Sequence, residues 1–152
     1  MNYRLNYRES IPSVVSRLKR EHKQMDRKLE KISEISNKED GDLKLAVSLL
    51  SSMSTEILRH AVEEEARLAS VIMQSSSKSR KTSEVVTSLR VLQEHRRIKE
   101  FLDDELPFLL DENSERQARR KIAEFTSLII KHQLAEERNV FPLALGSAPS
   151  PQ

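Results

Sequence analysis

Two stretches of the chain, HAVEEEARL over 60–68 and HQLAEERNV over 132–140, set a histidine four residues ahead of a glutamate that another glutamate follows. On a helix that spacing stacks imidazole and carboxylate one turn apart on one face. Together the two groups form a donor set for iron, manganese or zinc. The chain has four histidines, and the other two, His22 and His95, each follow a glutamate in an "EH" pair. Taken singly, each His-x-x-x-Glu reads equally well as a solvated helix pair, and a lone histidine on an apolar face as a hydrogen-bonded core residue. The chemistry therefore depends on whether the fold brings the four rings together.

The elements that would do so are helical. Charged residues make up 33% of the sequence and the hydrophobic set 37%, with two glycines and no tryptophan, which suits long solvated helices better than a sheet. At 152 residues the chain has room for one domain around one core. Val14, Leu18, Met25, Leu29 and Ile32 recur at steps suited to a first helix over roughly 11–36, ended by the polar SNKEDGD. Leu43, Leu50, Met53, Ile57, Leu68 and Val71 mark a second over roughly 42–73, which gives way to QSSSKSRKTSE. Thr82 or Ser83 can cap a third carrying Val85, Leu89, Leu92, Ile98, Leu102 and Leu106, with Pro107 as its end or kink. Asn113 or Ser114 can cap a fourth carrying Ile122, Phe125, Ile129, Val140 and Leu143. Four helices and three short polar turns predict an all-α, up-down-up-down antiparallel four-helix bundle. It occupies residues 1–146, with a short flexible N-terminal arm over about 1–10 and a disordered tail over 147–152.

Each histidine sits on an apolar stripe: His22 between Leu18 and Met25, His60 after Ile57, His95 after Leu92 and His132 after Ile129. Antiparallel helices bring two residues to one height when both are equally far from the connecting turn. The position halfway between His22 and His60 is Gly41; that between His60 and His95 falls at Ser77 and Lys78; that between His95 and His132 falls at Asn113 and Ser114. All three lie in the expected turns, so the four rings form one inward-facing layer, joined by Glu64 and Glu136. Four unpaired buried rings would each carry a penalty of roughly 1–3 kcal/mol, and two buried carboxylates would be prohibitive without a cation. Two carboxylates serving four histidines suggest that each bridges a pair of metal ions, which makes a dinuclear non-haem iron site the leading candidate. Glu63, Glu65 and Glu137 are expected to face solvent, and a structural bundle without metal is the remaining reading.

The order His…His-x-x-x-Glu…His…His-x-x-x-Glu, repeated as two similar hairpins, resembles the hemerythrin-like family of HHE cation-binding domains from about Val14 to Pro142. HQLAEERNVFP is especially similar to the family's last helix. The resemblance implies metal ligation by His22, His60, Glu64, His95, His132 and Glu136. It also implies two iron ions with an oxo or hydroxo bridge, with zinc or manganese as substitutes in a purified sample, able to meet O2, peroxide or nitric oxide. Oxygen carriers of the family place the last acid five residues after the histidine, which keeps Glu137 open beside Glu136; pseudo-symmetry with Glu64 favours Glu136. Their third helix resembles His-x-x-x-His, whereas Val91 and Lys99 stand at the two positions one turn from His95. The absent fifth imidazole is expected to leave open positions on both metals, which favours reactivity over reversible carriage. The rival ferritin-like arrangement needs Glu-x-x-His, and Lys19, Ile57, Leu92 and Ile129 stand three before the histidines instead.

Two function classes follow: an enzyme consuming peroxide, nitric oxide or O2, or a protein that senses oxygen or redox state, or holds iron, without turnover. The expected partner is a small diatomic or peroxide ligand, and the chain acts as a monomer or homodimer. Its 26 basic and 24 acidic residues are mixed along the sequence, which argues against nucleic acid and an anionic membrane as partners. No run of about 18 apolar residues supports a membrane span. The absence of cysteine excludes thiolate sites and thiol catalysis, fits a cytoplasmic protein, and separates the chain from iron-centre repair proteins, in which a Cys-containing segment precedes a hemerythrin domain.

Overall fold

A computed structural model describes residues 4–79 and 82–147. Four long helical rods form it. The first is α1 (Ile11–Asn37). The second is α2 (Leu43–Glu63), continued by a π-helical turn at Glu64–Ala69 into α3 (Ser70–Ser79). The third begins as α4 (Thr82–Glu100), widens to a π turn at Phe101–Glu105, tightens to a 3-10 turn at Leu106–Phe108 and ends in α5 (Leu109–Glu112). The fourth is α6 (Glu115–Ala135), a π turn at Glu136–Val140 and α7 (Phe141–Ser147). Among the described residues no strand is present, and no helix is long and apolar enough to cross a membrane.

Local chemistry starts and stops the rods where the sequence suggests. The Ser10 hydroxyl accepts from the Ser13 amide and Pro12 stands in the first turn of α1, where a missing N–H costs nothing. Asp42 caps α2 through the Leu45 amide at 3.1 Å, and Ser114 with Gln117 forms a reciprocal capping box on α6. The α1–α2 turn is tight enough that a Cβ on Gly41 would lie 1.9 Å from the Ile35 carbonyl oxygen. Arg119 on α6 holds the same turn by donating to the carbonyls of Lys38 (2.6 Å), Glu39 (3.0 Å) and Gly41 (2.7 Å). Pro107 cannot donate to the ladder, and the π turn before it and the 3-10 turn around it absorb the break.

Two features depart from the sequence reading. The polar QSSSKS stretch continues helix α3 to Ser79 rather than forming the turn, because it contains neither glycine nor proline to stop it; Arg80 and Lys81 lie outside the described residues. The reversal therefore comes later than the halfway point between His60 and His95. The π turn at Glu64–Ala69, which fits an extra residue into the coil, takes up part of that difference. On α4 the inward face is Ser88, Val91, His95 and Ile98, so Leu89, expected in the core, is half exposed. The N-terminal arm, over its described part, lies against the second rod: buried Arg67 donates to the carbonyls of Asn6 and Glu9 and spreads over the Tyr7 ring. Of the tail expected over 147–152, only Ser147 is among the described residues.

The core is divided. One apolar cluster, from Met25, Leu29 and Ile32 through Leu50, Ile57 and Ile98 to Phe125 and Ile129, fills the end of the bundle near Gly41. A smaller cluster of Val14, Leu18, Leu68, Ile72, Val91 and Phe141 fills the other end. Between Leu18 and Met25, Ile57 and Leu68, Val91 and Ile98, Ile129 and Val140, the chain places its histidines.

Candidate metal centre

That dividing layer is polar and buried. His22, His60, Glu64, His95, His132 and Glu136 are all buried, each at most 6% exposed. The fold thus brings together the six residues singled out in the sequence, even though the second reversal falls later than the halfway position between His60 and His95. His60 and His132 stand in the last turns of α2 and α6 respectively, and Glu64 and Glu136 open the π turns that follow. The same helix–π junction occurs twice, in pseudo-symmetric positions, and π turns of this kind recur at functional sites.

The Nε2 atoms face the two carboxylates. From Glu64 they lie 3.5 Å (His60), 3.6 Å (His22) and 3.2 Å (His95) away. From Glu136 they lie 3.0 Å (His132), 3.6 Å (His22) and 3.8 Å (His95) away. Two donor groups emerge, His22–His60–Glu64 and Glu64–His95–His132–Glu136, each with its ligand atoms within 4.8 Å of one another, and Glu64 belongs to both. An ion with nitrogen and oxygen ligands at about 2.0–2.2 Å places neighbouring donors roughly 3 Å apart, close to these separations. The four Nε2 atoms, Glu64 Oε2 and both Glu136 oxygens are buried without a hydrogen-bond partner. Such orphans are expensive in a native core, so the residues fit a bound cation.

The outward nitrogens meet a second set of acids. His60 Nδ1 lies 2.8 Å from Glu21, His95 Nδ1 3.2 Å from Glu65, and His132 Nδ1 is hydrogen-bonded to Glu94. His22 Nδ1 stands 3.6 Å from Glu137. Each Nδ1–H pointed at a carboxylate leaves Nε2 as the inward lone pair, the arrangement that orients an imidazole for a metal. Glu21 is in turn held by Arg17 and Arg59, both at 3.2 Å. Arg17 also forms a two-armed pair with Glu63 and binds Glu9. The expectation that Glu63, Glu65 and Glu137 are solvated is therefore corrected. Glu63 is 3% exposed because the Arg17 guanidinium neutralises it, and Glu65 and Glu137 are half-buried behind histidines. Glu136, not Glu137, faces the inside of the layer with Glu64.

These acids decide the charge of the layer. Burial would depress the imidazoles, but Glu64 and Glu21 carry His60 up to about 10. Against the same burial, Glu136, Glu64 and Glu65 carry His95 up to about 12, and Glu136 and Glu94 carry His132 up to about 9. Burial also pushes Glu64 and Glu136 upward. The His60 charge and the close approach of Glu136 and His22 bring Glu64 well below its ordinary value, while the charge of Glu64 keeps Glu136 raised. Protons on the rings thus take the place of cationic charge that the carboxylates demand.

The two halves differ in access. His22 stacks on fully buried Phe141, centroids 5.4 Å apart, and the Arg17–Glu21–Arg59 network lies behind His60. A surface groove edged by Arg90, Val91 and Arg138 reaches His132 and Glu136, and another edged by Leu58, Arg96 and Lys99 reaches His95. Val91, where a further imidazole was sought, is buried in the smaller apolar cluster, and Lys99 is exposed beside Asp103 at 2.9 Å. A cavity of about 20 Å³, on the order of one water-sized guest, joins the layer to an apolar floor that includes Met25, Ile57, Ile98 and Ile129.

The acids behind the rings were legible in principle. Each neighbours a candidate donor in sequence (Glu21 before His22, Glu94 before His95, Glu65 after Glu64, Glu137 after Glu136), and adjacent positions on a helix, about 100° apart, aim at the next rod.

A family model described as the hemerythrin HHE cation-binding domain matches residues 13–144. No curated protein and no solved structure matches the chain.

Proposed function

Because the chain belongs to the hemerythrin HHE cation-binding domain family, we propose that its buried layer holds two iron ions and binds or reacts with O2, peroxide or nitric oxide. The observation that carries this reading is the convergence of orphaned donors: four Nε2 atoms, Glu64 Oε2 and both Glu136 oxygens, all buried and none hydrogen-bonded. Two ions rather than one are supported by Glu64, which both donor groups share. Two imidazoles with one carboxylate, the composition of the His22–His60–Glu64 group, suit non-haem iron with open positions. When bound, the ions supply redox change and free coordination positions for a small ligand.

The chain's own residues supply the rest. Glu21, Glu65 and Glu94 fix the ring orientations and keep Nε2 available. The apolar clusters on either side exclude bulk water, which strengthens every electrostatic interaction within the layer. Access from the His95–His132 side, with apolar Val91 in place of a further donor, supports reaction with an incoming ligand over reversible carriage. The sealed His22–His60 side favours a second reading, oxygen or redox sensing or iron holding without turnover.

Metal analysis with optical spectra, recorded with and without O2, peroxide and nitric oxide, tests the proposal. Two irons per chain and ligand-dependent absorption changes are expected. Steady peroxide loss identifies an enzyme, and a reversible O2-dependent band without turnover identifies a binding protein. A chain from iron-replete cells that holds no iron and takes none up refutes the iron reading.

A further inference from the structure

One polar side chain in the wall of the small cavity belongs neither to the donor set nor to the acids behind it. Gln133, the residue after His132 on α6, is 4% exposed and lines the cavity together with Glu64, His95 and Glu136. Its Oε1 is buried without a hydrogen-bond partner. Its Nε2 reaches only the Met25 sulfur at 3.9 Å, and a thioether is a weak acceptor. The remaining wall here is Met25, Ile57, Ile98 and Ile129. A leucine or methionine would fill this position without a desolvation penalty, so an amide here stands against the packing logic of its surroundings. An amide offers both an acceptor and donors, and a rotation about its last bond exchanges which of them faces the cavity.

We propose that Gln133 is the hydrogen-bonding wall of the ligand cavity: its amide engages a small guest taken up beside the His/Glu layer and favours guests that form strong hydrogen bonds, such as peroxide or the acceptor azide, over nitric oxide. The inference rests on the metal-centre reading and names a selectivity residue within it. Gln133 holds no metal in this scheme; it acts on the guest. The unpaired amide is the cost of a polar contact that forms only when the cavity is filled.

The full-length, iron-loaded protein is compared with Gln133→Met and Gln133→Leu, both apolar and close in size. Four quantities are read: iron per chain, melting temperature of the metal-free form, and optical titrations with azide and with nitric oxide. Iron content is expected to stay at the native value and the metal-free melting temperature to hold or rise, since an orphaned amide has been removed. The azide Kd is expected to rise about three- to tenfold, the worth of one hydrogen bond, while nitric oxide changes less than about twofold. Unchanged azide affinity with iron retained overturns the role of Gln133 and leaves the metal centre standing. An equal loss for azide and nitric oxide overturns the selectivity. Unfolding or iron loss in both variants assigns Gln133 a structural role and overturns the proposal as well. A native chain that takes up no iron refutes the metal-centre reading itself, and this inference with it.

Discussion

Replacing Glu64 or Glu136 by glutamine should change how many ions the chain holds, and the two variants should differ. Glutamine keeps volume and shape while removing the charge, so packing is held nearly constant. Glu64 is shared by both donor groups, whereas Glu136 belongs to the one that includes His95 and His132. Glu136→Gln therefore leaves His22, His60 and Glu64 intact and is expected to retain about one ion per chain. Glu64→Gln removes a carboxylate from both groups and is expected to retain much less than one. With free metal at about 100–1,000 times Kd, each occupied site stabilises the fold by about 2.7–4.1 kcal/mol. For a chain of this size that corresponds to roughly 5–16 °C per site, at about 2–4 °C per kcal/mol. Chelation should thus cost Glu136→Gln about half the native drop in melting temperature and Glu64→Gln almost none. Metal-free Glu136→Gln should melt no lower than the metal-free native chain, because Glu136 is raised by burial and by the charge of Glu64. Atomic emission for ions per chain and calorimetry with and without chelator give both readouts. Equal ion content in the two variants, or a full native complement in Glu64→Gln, refutes the assignment of Glu64 as the shared donor.

Other outcomes follow from the same geometry. The raised imidazoles stabilise the metal-free fold fully below about pH 6.5, their unfolded value, and that contribution is lost as pH rises through about 9 at His132 and about 10 at His60. Metal needs the rings neutral, so the melting-temperature drop on chelation should grow from pH 6 to pH 9; a drop that shrinks over this range contradicts the sign. Glu94→Ala should weaken metal binding about tenfold and Glu21→Ala closer to 100-fold in chelator competition, because the Glu94 side chain is one-third exposed whereas that of Glu21 is 15% exposed and held by two arginines. The reverse order contradicts it. Gly41→Ala must displace backbone, since its Cβ would meet the Ile35 carbonyl at 1.9 Å, and overpacking of about 1–3 kcal/mol predicts a fall of roughly 2–12 °C with ion content unchanged.

The fold and the inner ring of the site could be read from spacing because both are set by periodicity. Apolar steps of three and four define the rods, and the halfway positions near Gly41 and Asn113 define heights. What depends on packing was not readable. Leu89 looks more hydrophobic than Ser88, yet Ser88 is the one buried, because Val91, His95 and Ile98 set the rotation of α4 and Ser88 lies two turns before His95 on their line. The π turns at Glu64 and Glu136 have no signature in residue type. They reflect one more residue per turn than the ladder allows, accommodated where the candidate donors sit. Glu63 resembles its solvated neighbours in sequence, and only the approach of Arg17 from another rod explains its burial.

The division of the core into two apolar clusters bears on how the molecule comes apart. Hydrophobic cohesion in a bundle normally runs unbroken along its length, which makes unfolding all-or-none. Here it is interrupted at mid-height by a layer that repels its own members unless protons or metal ions are present. The layer is a fault plane when empty and would be a rivet when filled, since its candidate donors come from all four rods. The smaller cluster carries the start of α1 and all of α7, so it forms the weaker block on one side of that plane. An emptied bundle can therefore yield first at the end where the first and last helices meet, while the block around Gly41 keeps its shape and leaves the four donor-bearing rods aligned for ions to return.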